Sequence, residues 1–398
     1  MSDDHPNRWW ALALVAVAEL LGMSLWFTAS AVSEELVARF GLGPSQAGWL
    51  TTAVQLGFVA GTALAAVLNL ADLVPARFYF ALSALLGACA NTALLLAPSF
   101  GTLLVLRFLT GVFLAGVYPP GMKMAATWFR SARGFAIGTL VGALTVGKAT
   151  PYLILAFDGT DFKTVTVLAS GGAAVAALLV AAGYRDGPHR FERRAFSWSL
   201  AATVFRHRPT RLATFGYLGH MWELYAMWTW VPVFVTASLG AWAAETGSEI
   251  GGLAKMIAFG AIAAGGLGCV VGGLAADRIG RRKWVNLAMA ASGGASLVAG
   301  LFYGASPMAL AAITWFWGFF VVADSAQFSA IVTEVAPAHA VGTALTLQTS
   351  LGFLLTMVTI QFLPPLVEIL GWAGTFPLLA LGPAFGIAAI QRLGKSKQ

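Results

Sequence analysis

Glu19, Arg107, Lys148, His220, Glu223 and Asp324 stand in stretches of sequence that are otherwise apolar. Isolated groups of these types suit two kinds of chemistry. A carboxylate or an imidazole takes up and releases a proton, and a lysine or arginine attracts an anion. They do not suit hydrolysis or group transfer. No nucleotide loop, metal-ligand cluster or Ser/His/Asp grouping accompanies them, so no catalytic residue, metal or cofactor is expected. Cys89 and Cys269 fall in apolar runs and read as small packing residues, with no disulfide framework.

The elements that position these groups follow from composition. The chain has 398 residues, of which 58% are hydrophobic and only 10% charged, where a soluble domain carries about 25% charge. Mean hydropathy is +0.78. Apolar runs of roughly 20 residues each cross a ~30 Å hydrocarbon core, and lipid leaves helices as the default because every backbone group must be paired. A β-barrel needs alternating polar and apolar positions, whereas 82–97 and 171–183 are apolar or small all round. The expected fold is an all-α integral membrane protein with about twelve transmembrane helices, near 9–32, 46–68, 79–97, 101–124, 135–157, 162–183, 211–237, 251–275, 284–304, 308–333, 341–363 and 371–391.

On this reading 19 of the 24 Lys and Arg lie on one face, three on the other (Arg39, Lys163, Lys255) and two inside (Arg107, Lys148). The positive-inside rule makes the rich face cytoplasmic, with both termini there, in a multi-pass protein of a bacterial-type inner membrane. The net charge of +7 therefore reports topology and not a nucleic-acid partner. Ala29-Ser30-Ala31 resembles a signal cleavage site, but Asp3, Asp4 and Glu19 argue that the segment is retained.

An ionisable group at the bilayer centre costs roughly 2.5–3.5 kcal/mol on insertion scales, so each needs a partner or a purpose. Glu19 lies roughly 15 Å and Glu223 roughly 18 Å from their helix starts, both near the midplane. Lys148 is roughly 20 Å from the cytoplasmic end, too deep to snorkel. Arg107 and Asp324 lie closer to the two surfaces. His220 precedes Glu223 by three residues on the same helical face, where it either relays protons or bonds a carbonyl. Trp26 and Trp230 each follow a midplane glutamate by seven residues, about two turns, and share its face.

The chain also repeats itself. Glu19-Leu-x-x-Met23-x-x-Trp26 recurs as Glu223-Leu-x-x-Met227-x-x-Trp230, 204 residues later, and Asp72/Asp277, Pro98/Pro307, Gly111/Gly318 and Gly134/Gly342 keep nearly that offset. Two related six-helix bundles are expected, 1–183 and 211–398. They are joined by a basic cytoplasmic linker, 184–210, in which 196–205 reads as a surface helix with Trp198 and Phe205 toward lipid.

The stretch Gly273-Leu-Ala-Ala-Asp277-Arg278-Ile-Gly280-Arg281-Arg282 resembles the signature loop of the major facilitator superfamily, and the loop holding Asp72 and Arg77 is a degraded copy of it. Arg107-x-x-x-Gly111 is similar to the arginine pattern of that superfamily's fourth helix. The resemblance covers the whole chain. It implies that Asp72, Arg77, Asp277, Arg278, Gly280, Arg281 and Arg282 form gating loops, with Gly280 making the tight turn, and that helices 1, 4, 7 and 10 line a central cavity. Glu19, Arg107, Glu223 and Asp324 fall on those four, with Lys148 on helix 5. It also implies that helices 2, 5 and 8, which carry Gly57-x-x-x-Gly61, Gly134-x-x-x-Gly138-x-x-x-Gly142 and Gly268-x-x-x-Gly272, meet between halves.

The expected function is secondary active transport of a small molecule, an organic anion or metabolite, by alternating access in a monomer, with protons as the coupling ion. Lys148, with Arg107, would attract an anionic group, and Glu223 or Glu19 would exchange a proton. In the other reading Glu19 pairs with Lys148 or Arg107 as structure alone. An efflux antiporter for drug-like compounds is an alternative, although that branch carries a Gly-Pro pair where this chain has Gly147-Lys148. A non-transporting receptor or assembly factor is a third reading.

Overall fold

Helix starts and stops follow local chemistry. Pro44 and Pro307 open two helices at the first turn, where a missing N–H costs nothing. Ser99 accepts from the Thr102 amide at 3.2 Å and Asp161 from the Thr164 amide at 2.8 Å, capping two more. The Thr164 bonds hold the Asp161 carboxyl below the usual range, and both Glu35 carboxylate oxygens accept from the amide of Phe162 just beyond it, at 3.1 Å. Gly280, at φ +89°, makes the turn between two helices in a conformation other residues avoid.

The computed structural model describes residues 5–68, 70–129, 132–189 and 198–395, which form helices and their connections with no strand among them. Among the described residues, ten runs are long and apolar enough to cross a membrane. The last of these, Val341–Leu393, holds two spans parted at Gly371, where φ is +65°. A further span is the first, whose leading helix Arg8–Met23 stops after 16 residues and resumes as Thr28–Ala31. The twelve spans are therefore Arg8–Met23 with Thr28–Ala31, Pro44–Val67, Ala76–Thr92, Phe100–Leu114 with Tyr118–Ala126, Arg133–Leu155, Phe162–Gly183, Arg208–Thr246, Leu253–Ile279, Arg281–Ala299, Pro307–Ala323 with Ser325–Val335, and the two parts of Val341–Lys395. The expected surface helix corresponds to Trp198–Arg206. Phe205 on it is exposed, and the side chain of Trp198 lies outside the described residues.

The chain divides into two compact units, Met1–Pro151 with Thr160–Phe196, and Tyr152–Gly159 with Ser197–Gln398. The internal repeat is visible in the packing of each. In the first unit, a methyl group added at Gly111 would collide with the carbonyl oxygen of Val54; in the second, one at Gly318 would collide with that of Ala261, and both pairs are offset by 207. Gly61 against Val112 and Gly268 against Phe319 repeat the relation. The fourth and tenth spans also break at matching places, around Val117 and Asp324. Gly57, Gly61, Gly268 and Gly272 press on the fourth and tenth spans of their own unit.

Because the obstructing atoms are backbone carbonyls with no freedom to rotate away, Gly111→Ala and Gly318→Ala are each expected to lower stability by about 1–3 kcal/mol. Gly240→Ala, which meets nothing within 4 Å, should leave it unchanged or slightly raised. Thermal unfolding of the purified protein in detergent separates the three, and equal behaviour would refute the packing argument.

Candidate functional site

Glu19 is fully buried in the leading helix of the first span, and neither carboxylate oxygen has a hydrogen-bond partner among the described residues. Two glycines explain how other helices come so near. A methyl at Gly121, in the second half of the fourth span, would collide with Glu19 Oε1, and one at Gly147, in the fifth span, would collide with the carbonyl of Leu20. Lys148 follows Gly147, and its charge acts on Glu19. Its ammonium sits 4.2 Å from the centroid of the Trp26 ring, within cation–π range. Trp26 meets Phe58 edge-on at 5.3 Å, and Phe58 stacks on Tyr118 at 6.3 Å. Glu19, Trp26 and Lys148 are thereby gathered at one buried place.

Arg107 is set apart from that group chemically. Its guanidinium is fully buried and donates through Nε to the Leu50 carbonyl at 3.2 Å, through Nη1 to that of Leu25 at 2.9 Å and through Nη2 to that of Trp26. These bonds account for the interruption of the first span, which the apolar run 9–32 did not signal. Carbonyls that a continuous helix would pair internally are turned toward the arginine instead.

The second unit holds a separate buried polar cluster. Glu223 accepts from Ser292 Oγ at 2.8 Å and from Trp317 Nε1 at 2.8 Å, so each carboxylate oxygen has a donor. His220 places Nδ1 2.8 Å from Asp324 Oδ1, with its ring packed by Tyr217 and Phe328. Its Nε2 has no hydrogen-bond partner among the described residues. Asp324 occupies the break in the tenth span, which brings it to a histidine on the seventh. Trp230, the repeat counterpart of Trp26, donates to the Ile360 carbonyl at 3.0 Å. The two halves keep the residue types and give them different partners.

Sequence reasoning missed Ser292, Trp317, Gly121 and Gly147 as the neighbours that define these sites. For Gly147 the signal was its adjacency to Lys148. Nothing in the apolar runs distinguishes Ser292 or Trp317.

The expected loop is a tight turn at Gly280, with Asp277 and Arg278 ending the helix Leu253–Ile279 and Arg281 and Arg282 starting Arg281–Ala299; Asp277, Arg278 and Arg282 are exposed and Arg281 Nε pairs with Glu334 at 2.9 Å. Arg77 lies over the ring of Phe78 at 4.5 Å. The side chain of Asp72 lies outside the described residues.

This architecture matches solved transporters. The nucleoside transporter NupG superposes with a TM-score of 0.73 at 13% identity, covering 96% of this chain and 99% of that one. A bacterial homologue of the human lysosomal transporter Spinster gives 0.64 at 17% identity, covering 99% and 94%. Among curated sequences, the puromycin resistance protein pur8 of Streptomyces alboniger is 30% identical over 159 residues, 37% of this chain and 31% of that protein. The hexuronate transporter of Escherichia coli (strain K12) is 26% identical over 143 residues, 34% and 33% respectively. The chain spans about a third of the length of the curated relatives it matches. The family description Major Facilitator Superfamily matches residues 14–360. With twelve helical spans, a repeat that recurs in the packing of both units and a match over most of its length, the chain belongs to the Major Facilitator Superfamily.

Proposed function

We propose that this protein is a proton-coupled secondary transporter that moves a small solute, an organic anion or related metabolite, across the inner membrane by alternating access, working as a monomer with both termini cytoplasmic. Lys148 attracts the solute's negative group and Glu19 exchanges the coupling proton. The observation that carries the reading is the pairing of a buried carboxyl group, without a hydrogen-bond partner among the described residues, with a lysine held on Trp26. A proton taken up by Glu19 removes a buried charge that no hydrogen bond among the described residues satisfies, and the Lys148 ammonium is the positive charge to which a solute's anionic group is drawn.

The likeness to a hexuronate transporter fits the anion reading. A second reading, efflux of a drug-like compound, is favoured by the likeness to a puromycin resistance protein and by the aromatic group Trp26, Phe58 and Tyr118.

Uptake of glucuronate, uridine and puromycin into vesicles containing the purified protein, with and without an imposed proton gradient, decides between them. Gradient-driven glucuronate uptake whose KM rises about tenfold in Lys148→Ala, equivalent to roughly 1.4 kcal/mol, is the expected result. Puromycin exchange for protons with no effect of Lys148→Ala would select the efflux reading. No movement of any solute in either direction would overturn the transport assignment for this panel.

A further inference from the structure

Breaking the tenth span at Asp324 leaves a helix carbonyl without its usual donor. The amide of Gln327, four residues beyond Ala323, donates to Asp324 at 2.9 Å and not to Ala323. The Ala323 carbonyl is taken instead by Trp284 Nε1 at 3.0 Å. That indole is buried among Ala276, Ala288 and Ala323, with Ala275 and Phe320 packed around them. The space for it is made by Gly272, where a methyl group would collide with the Ala323 carbonyl and come within 2.8 Å of Trp284 Nε1.

Trp284 is also fixed to the charged loop. It lies in the first turn of Arg281–Ala299, with its amide bonded to the Gly280 carbonyl at 3.1 Å. Three residues before it, Arg281 pairs with Glu334 at 2.9 Å. Ala323 ends one half of the broken span and Glu334 belongs to the other, Ser325–Val335. The loop therefore holds both sides of a break whose central residue, Asp324, faces His220 at 2.8 Å. Any change in the angle at Asp324 moves Ala323 against Glu334, and a loop anchored to both must respond.

We propose that Trp284 is a positioning residue that transmits the state of the buried His220–Asp324 pair to the loop 277–282. The mechanical link stands on this geometry alone; its use in a transport cycle rests on the function proposed above.

The test reads the loop directly. Ile279, 46% exposed at the loop's edge, is replaced by cysteine in a protein whose Cys89 and Cys269 are changed to Ala, and its rate of alkylation by N-ethylmaleimide is measured in lipid nanodiscs. Four proteins are compared: the parent, Asp324→Asn, Trp284→Phe and the double variant. Asp324→Asn is expected to change the rate about fivefold or more in the parent, and less than about twofold when the indole N–H is gone, a coupling that independent sites do not show. An equal change with and without Trp284, or no change in the parent, overturns the proposal. Gly272→Ala, which displaces the same hydrogen bond from the other side, replaces Trp284→Phe if that variant does not fold. Proton-independent transport by the unmodified protein would sink the functional reading and leave the alkylation result standing.

Discussion

Arg107→Leu is expected to destabilise the protein by about 3–5 kcal/mol, the largest loss among the substitutions considered. Leu fills much of the arginine's volume but donates nothing, so the carbonyls of Leu25, Trp26 and Leu50 lose the donors that now reach them. An unsatisfied buried polar group costs about 1–3 kcal/mol, and the fully buried site gives water no way in. Part of that penalty is recovered if the first span closes into a continuous helix, but closure would swing Trp26 away from Lys148 and weaken the 4.2 Å contact. Arg107→Lys keeps the charge and fails on geometry, because one ammonium cannot reach carbonyls that the guanidinium spans with three nitrogens. It should regain less than half of the loss. Chemical denaturation in detergent, followed by circular dichroism, measures both. A value for Arg107→Leu within about 1 kcal/mol of the parent would show that the break in the first span does not depend on the arginine.

Span number and the repeat were legible in the sequence because each rests on a property that tertiary structure rarely overrides. Apolar length decides what crosses a membrane, and Glu19 with Glu223, or Gly111 with Gly318, keep an offset that unrelated helices would lose. The interruptions were not legible. Nothing between Met23 and Thr28 is a helix breaker; the break is imposed by an arginine about eighty residues away in sequence. The candidate site was legible as a set of residue types and not as a set of contacts. Glu19 and Lys148 are brought near by Gly121 and Gly147, whose role appears only when two helices are placed side by side. The equivalence of the two midplane glutamates misled for the same reason. Register made them alike, while Ser292 and Trp317, from two other spans, set Glu223 apart.

That difference predicts opposite outcomes for one substitution made twice. Glutamine matches glutamate in shape, cannot ionise, and offers one acceptor oxygen and two N–H donors in place of two acceptors. At Glu19 no hydrogen bond among the described residues reaches the carboxyl group, so Glu19→Gln breaks no hydrogen bond and should still fold, with a stability cost set by the lost attraction to Lys148. It should nonetheless reduce gradient-driven accumulation at least tenfold, since the group assigned to proton exchange can no longer titrate, while solute exchange without a gradient persists. At Glu223 the Ser292 hydroxyl and the Trp317 indole N–H both donate. A glutamine amide there can accept from the Trp317 indole through Oε1 and donate to the Ser292 hydroxyl, which also accepts and whose own proton has the Met289 carbonyl 3.3 Å away. Glu223→Gln should therefore keep both its stability and its gradient-driven accumulation close to the parent's. Thermal unfolding and vesicle uptake on the same preparations give the two readings together. The reverse pattern, a stable Glu223→Gln that exchanges without accumulating and a Glu19→Gln that accumulates normally, would move the coupling proton to the second unit, where His220 and Asp324 lie beside the glutamate that carries it.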